Sequence, residues 1–207
     1  TCPHNIAAGR VAPAIAGFVA KHPRMRFDVT VSDHSADLVE EGYDLAIRIG
    51  SVGAERLVAR RLGAVALVLA AAPGYLAARG RPRQAADLAA HSALTYAYSP
   101  TPRLWRLRDP SGAEHEVRID GPLRANSGEL LVAAAASGLG LVFEPEFTLA
   151  PALASGALER VLPSHSAPHL DIWAVYPSRR HLSAKVRLFV EHLIECFAAD
   201  GTQRASA

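Results

Sequence analysis

Arg48 stands near the end of the run Asp44-Leu45-Ala46-Ile47-Arg48-Ile49-Gly50, an apolar segment that reads as a buried strand. A guanidinium at the carboxyl end of such a strand falls where open α/β sheets form binding crevices, and its fork geometry suits a carboxylate. The competing role is an ion pair with Asp33 or another strand-end acid. Asn5 and Ser127 each open a helical pattern, where unpaired N–H groups and a partial positive charge attract anions. Either side chain can donate to a ligand or simply cap its own helix. Phe143 and Glu144 end a buried strand just before Pro145, a position suited equally to a ligand wall and to core packing. Tyr98 and Trp105 are further aromatic candidates in the middle of the chain, with packing the expected role of Trp105.

Catalytic and metal chemistry find little support. Cys2 and His4 form a nucleophile–base pair by type, but no orienting third group or nucleophile motif accompanies them. His165 and His169 have ligand-like spacing, yet Pro168 denies them a shared helical face, and a solvated loop is expected. Glu40 and Glu41 are adjacent on a helix surface and read as solvated. No enzyme activity, metal or cofactor is therefore expected.

The elements that position these residues alternate. A helix is expected from Asn5 to about Lys21, bent or divided at Pro13 and closed by His22-Pro23. A strand follows at Met25–Val31. Asp33 or Ser35 then caps an acidic helix, Ala36–Glu41, which Gly42 stops before a strand at Asp44–Ile49. Leu57–Leu62 and Val65–Ala71 read as two strands. Pro73–Ala78 and Gln84–Ala90 read as short helices, Ser92–Tyr98 as a strand, and Asp109-Pro110-Ser111-Gly112 as the turn of a hairpin joining Leu104–Leu107 to Glu114–Ile119. Next come a helix at Gly128–Ala136, a strand at Leu139–Phe143, a helix at Glu146–Ala154, and strands at Leu158–Leu162 and His169–Tyr176. In the last helix Val186, Phe189, Val190, Leu193, Ile194 and Phe197 form one apolar stripe. This alternation implies sheets covered by helices, an α/β fold.

The chain has 207 residues and a net charge of +2, with basic residues scattered rather than clustered. That is poor material for a nucleic-acid footprint. Its 2 cysteines lie at opposite ends, which argues against a disulfide framework and for a reducing, cytoplasmic setting. No apolar run is long enough to span a bilayer, so no membrane partner is expected.

The run from Ser32 to Gly50, with its Gly-Tyr-Asp-Leu-Ala-Ile-Arg-Ile-Gly core, closely resembles the effector-binding domain of LysR-type transcriptional regulators. The resemblance covers nearly the whole chain and includes Leu57-Val58-Ala59-Arg60-Arg61-Leu62, Pro73-Gly74-Tyr75-Leu76, Gly80-Arg81-Pro82 with Asp87-Leu88, Arg124-Ala125-Asn126-Ser127-Gly128-Glu129, and the run Pro177 to Val186. It implies two Rossmann-like lobes joined by crossover strands, in the periplasmic-binding-protein type II architecture. Lobe I would comprise residues 1–72 and 177–207, and lobe II residues 73–176. It also implies a small, anionic effector held between the lobes by His4, Asn5, Arg48, Tyr98, Asn126, Ser127, Phe143 and Glu144. A homodimer formed by lobe I to lobe II contacts and a tetramer of the full-length protein belong to the same expectation. DNA would be bound only by an N-terminal helix-turn-helix domain missing from this chain, as is the first strand before Thr1. A transport-linked solute-binding protein of the same architecture is the alternative. The chain departs from the family at His4 and Asn5, where small or hydroxyl residues are common.

Overall fold

The computed structural model describes residues 1–34, 37–52, 57–178 and 183–199. In chain order the elements begin with α1 (His4–Ile6), a π-helical turn (Ala7–Val11), α2 (Ala12–Lys21), β1 (Ala46–Ile49) and β2 (Leu57–Ala71). There follow α3 (Pro73–Arg79), a 3-10 helix (Ala85–Ala90), β3 (Ser92–Tyr96), β4 (Leu104–Arg108), β5 (Glu114–Arg118) and β6 (Asp120–Ala125). The chain continues through α4 (Gly128–Ala136), β7 (Leu141–Pro145), α5 (Glu146–Ala154), β8 (Glu159–Arg160), β9 (His169–Pro177) and α6 (Ala184–Ala199). Two compact units result, one of Thr1–Val65 with His169–Ala207 and one of Ala66–Pro168. β2 begins in the first unit and ends in the second.

In the first unit β1 runs antiparallel to β9, with Ala46 opposite Val175 and Arg48 opposite Trp173. β2 is the next strand beyond β9, and Arg61 Nε donates to Asp171 Oδ1 at 2.7 Å. The final helix lays Val186, Phe189, Val190, Leu193 and Phe197 into the core, as its apolar stripe predicts. Phe18 of α2 meets Phe189 edge-on at 5.1 Å, and Phe27 meets it at 4.8 Å. The division expected at Pro13 takes the form of the π-helical turn just before α2, which absorbs the backbone donor that proline lacks.

Two expectations in this unit are corrected. Met25–Val31 forms no ladder among the described residues; only Val31 bridges, to Cys2, with Cys2 N–H to Thr30 O at 3.2 Å and Ser32 N–H to Cys2 O at 2.9 Å. Thr1 pairs on its other side, donating to Leu45 O and accepting from Ile47 N–H. The acidic helix is a set of turns over residues 38–42; its capping residue is Asp37, whose Oδ1 accepts from the Val39 and Glu40 amides at 2.9 and 3.1 Å. Ser35 and Ala36 lie outside the described residues.

In the second unit β7 is flanked by β2, antiparallel, and β3, parallel, and β3 in turn pairs in parallel with β6. The expected pair Leu57–Leu62 and Val65–Ala71 is one strand, continuous through Gly63, because ladders to β9 and β7 keep the chain extended on both sides. β4 and β5 form the hairpin foreseen around Asp109. β6 was not expected, since Gly121 and Pro122 are strand breakers by type. As the last strand in the order it tolerates a proline, and Gly121 lies so close to β3 that a Cβ there would sit 2.0 Å from Ala93 O. Leu88, Leu94, Leu131, Leu141, Val142 and Leu149 are almost fully buried between the helices and this sheet.

Two consequences are measurable. Phe189→Ala removes the ring shared by Phe18 and Phe27 and should cost about 3–5 kcal/mol by urea unfolding; a loss below about 1 kcal/mol would contradict this packing. Tyr75 Oη accepts from Ser92 N–H at 3.0 Å and is hydrogen-bonded to His91 Nδ1 at 3.2 Å. Burial lowers the His91 pKa, with Asp87 opposing and Arg79 reinforcing. The unfolded chain therefore takes up this proton more readily, so stability is full above pH 6.5 and falls as the pH drops through that value toward the folded one. His91→Asn should flatten this part of the pH–stability curve; an unchanged acid slope would rule the pair out as its source.

Candidate functional site

In the first unit the polar groups gather around the start of α1. Pro3 occupies the cap position and offers no side-chain acceptor. Asp33 supplies one instead: its Oδ1 accepts from the His4 backbone N–H at 2.9 Å and lies 3.7 Å from the His4 ring. The Asp33 side chain is only 5% exposed. Asn5 is therefore not the cap of its helix, and its Oδ1 is buried without a hydrogen-bond partner.

Arg48 is not hydrogen-bonded to Asp33, contrary to expectation. Its Nη1 donates to the Ile47 carbonyl at 3.0 Å, while Nη2 is buried and unpartnered. Burial lowers the guanidinium pKa, with Cys2 and Asp33 opposing. Cys2 is itself buried, which raises its thiol pKa against the pull of the amino terminus and Arg48.

The second unit holds the other candidates. Ser127 is a true cap: Oγ accepts from Leu130 N–H at 3.2 Å and donates to Glu129 Oε2 at 3.1 Å. Asn126, just before it, is exposed. Glu144 in β7 is 4% exposed, and its Oε2 lies 2.8 Å from where a Cβ on Gly128 would stand. Thr148 Oγ1 is buried without a partner, and its Cγ2 flanks the same glycine at 3.3 Å. Phe143 packs against Trp105, ring centroids 5.4 Å apart, so both serve the core of this unit. Tyr98 is 48% exposed and meets Tyr96 edge-on at 5.9 Å.

The structure thus joins His4, Asn5 and Arg48 in one unit and Ser127 and Glu144 in the other. Sequence reasoning missed Asp33 as the cap of α1, because it lies 29 residues from His4 in the chain and no local pattern links the two. Thr148 had no sequence signal. Among the described residues no group of three or more metal-ligating side chains converges, and no helix is long and apolar enough to cross a membrane. Ser127→Ala, measured without any ligand, should cost about 1 kcal/mol of stability for the lost cap; no change in the unfolding midpoint would mean that the hydroxyl does not cap α4.

A model of the LysR substrate binding domain matches residues 1–198. The HTH-type transcriptional regulator DmlR of Escherichia coli K12 is 38% identical over 189 residues, 91% of this chain and 61% of that protein. An HTH-type transcriptional regulator of Haemophilus influenzae is 37% identical over 176 residues, again covering 61% of its length. The chain therefore spans about three fifths of these curated relatives. Among solved structures, the regulatory domain of CrgA, a LysR-type regulator from Neisseria meningitidis, superposes with a TM-score of 0.79 at 28% identity, covering 94% of this chain and 95% of that one. Such regulatory domains have the periplasmic-binding-protein type II fold. These relatives are transcriptional regulators, which does not favour the transport reading. This chain belongs to the LysR-type transcriptional regulators and is their effector-binding domain.

Proposed function

We propose that the domain senses a small-molecule effector bound between its two units and transmits the bound state through a homodimer to a separate DNA-binding domain. The observation that carries this reading is the pair of buried, unpartnered polar atoms in the first unit, Asn5 Oδ1 and Arg48 Nη2. One is an acceptor and the other a cationic donor, and burying either without a partner is unfavourable. A small anion carrying its own donor answers both, with its carboxylate on Arg48 and a hydroxyl or amine on Asn5. His4, Tyr98, Asn126, Ser127, Phe143 and Glu144 complete the proposed surroundings. The setting is the cytoplasm.

The α1–α2 segment and α4 form the proposed lobe I to lobe II contacts of the dimer, with a tetramer in the full-length protein. Leu130 on α4 and Leu139 just beyond it are 53% and 42% exposed, which supports a partner on that face. Effector binding then shifts a population between dimer arrangements through its different affinity for each.

A thermal-shift screen of small carboxylates, aromatic acids and amino acids should yield a ligand that adds about 2.7 kcal/mol of stability at 100 times its Kd. Arg48→Gln should weaken that ligand by roughly 10- to 150-fold, the equivalent of about 1.5–3 kcal/mol for one hydrogen bond to a charged group. Equal affinities in calorimetry would remove Arg48 from the site. Light scattering on the isolated domain should show a dimer; a strict monomer at high concentration would contradict the assembly.

A further inference from the structure

In the β1–β9 ladder Trp173 stands directly opposite Arg48, so the two side chains leave the sheet as neighbours on the same face. Ala46 and Val175, the pair two residues along that face, are buried with Leu38, and Tyr43 and Trp173 pack against them. The indole is pinned, because its Nε1 donates to Gly50 O at 3.0 Å. Gly50 has a φ of +90°, a conformation that favours glycine, and its N–H still closes the ladder on Asp171 O at 2.8 Å. Trp173 therefore leans toward the carboxyl end of β1 and takes the space on the Gly50 side of Arg48. The guanidinium turns the other way, with Nη1 donating to Ile47 O at 3.0 Å. Ile47 N–H donates to Thr1 O, and the N–H and C=O of one strand residue point to the same side, so Ile47 O faces the Thr1 segment too. The groups that act on the guanidinium electrostatically agree with that direction: Cys2, Asp33, Tyr43 and Glu41. Nη2 is the atom left buried and unpartnered.

We infer that Trp173 is the positioning residue of the effector's anion subsite: by holding the Gly50 side of the sheet face it directs the Arg48 guanidinium toward Thr1 and Asp33 and leaves Nη2 open to an anion. This rests on the effector site proposed above and adds a residue that acts through Arg48 rather than on the effector. An arginine side chain is rotamer-rich, and ordering it before binding removes an entropic cost that the ligand would otherwise meet. The Ile47 carbonyl holds only the far end of that side chain. The indole, fixed at its own far end by Gly50, supplies the wall along its length.

NMR on the domain, with inorganic sulfate as the probe anion, tests this without an effector. In wild type the Arg48 Nε–H signal should be ordered on the picosecond-to-nanosecond timescale and should shift as sulfate is added. Trp173→Phe keeps a ring on the same face and removes the bond to Gly50 O. It should lower the order parameter of the Arg48 side chain and weaken sulfate at that signal by about three- to tenfold, with the β1 and β9 amide signals dispersed as in wild type. Val175→Ala is the packing control in the same apolar cluster: it should lower the unfolding midpoint and leave Arg48 ordered. An Arg48 side chain as ordered in Trp173→Phe as in wild type, or released equally by Val175→Ala, or an unchanged sulfate affinity in Trp173→Phe, overturns the assignment. Sulfate without effect on Arg48 in wild type overturns the anion-site reading while the ordering result stands, so the two readings fail separately.

Discussion

A helix amino terminus must have its N–H groups answered, and each unit of this domain does so with a side chain, the Asp33 carboxylate for α1 and the Ser127 hydroxyl for α4. Asp33 takes the His4 amide at the start of α1, and Glu144 with Glu129 surrounds the start of α4. Each acid comes from a different kind of segment, a loop in one case and a strand end in the other. That placement ties the ends of the helices to the sheets on which they rest.

The buried polar atoms left over define the chemistry that remains. Asn5 Oδ1 and Arg48 Nη2 lie in the first unit, and Thr148 Oγ1 and His165 Nδ1 in the second. None is matched within the chain, whereas neighbouring groups are. Ser127 uses its hydroxyl fully, as acceptor from Leu130 and donor to Glu129. Recognition is better carried by the unmatched groups than by the caps, since a cap already has its partners.

Much of the fold was legible in the sequence. The apolar stripe of α6, the hairpin around Asp109 and the helix Gly128–Ala136 follow from local periodicity and turn chemistry. What escaped depended on distant partners. β6 contains Gly121 and Pro122 and takes its strand form from pairing with β3, while Met25–Val31 has strand composition but, among the described residues, bridges only at Val31, to Cys2. At the candidate site the residue types were legible and their roles were not. Asp33, one of two cap candidates with Ser35 for the segment after it, serves the helix before it; Arg48, expected to pair with Asp33 or another strand-end acid, keeps one nitrogen unmatched. Such roles follow from which strands are neighbours, which local patterns do not encode.

The central claim is that one effector draws on both units. Hydrogen–deuterium exchange with and without a ligand identified by its thermal shift tests it most directly. The account predicts slower exchange at once in the Asn5–Ile6 amides and in the Gly128–Leu130 amides. Protection confined to one unit, with the other exchanging as in the free domain, would contradict it.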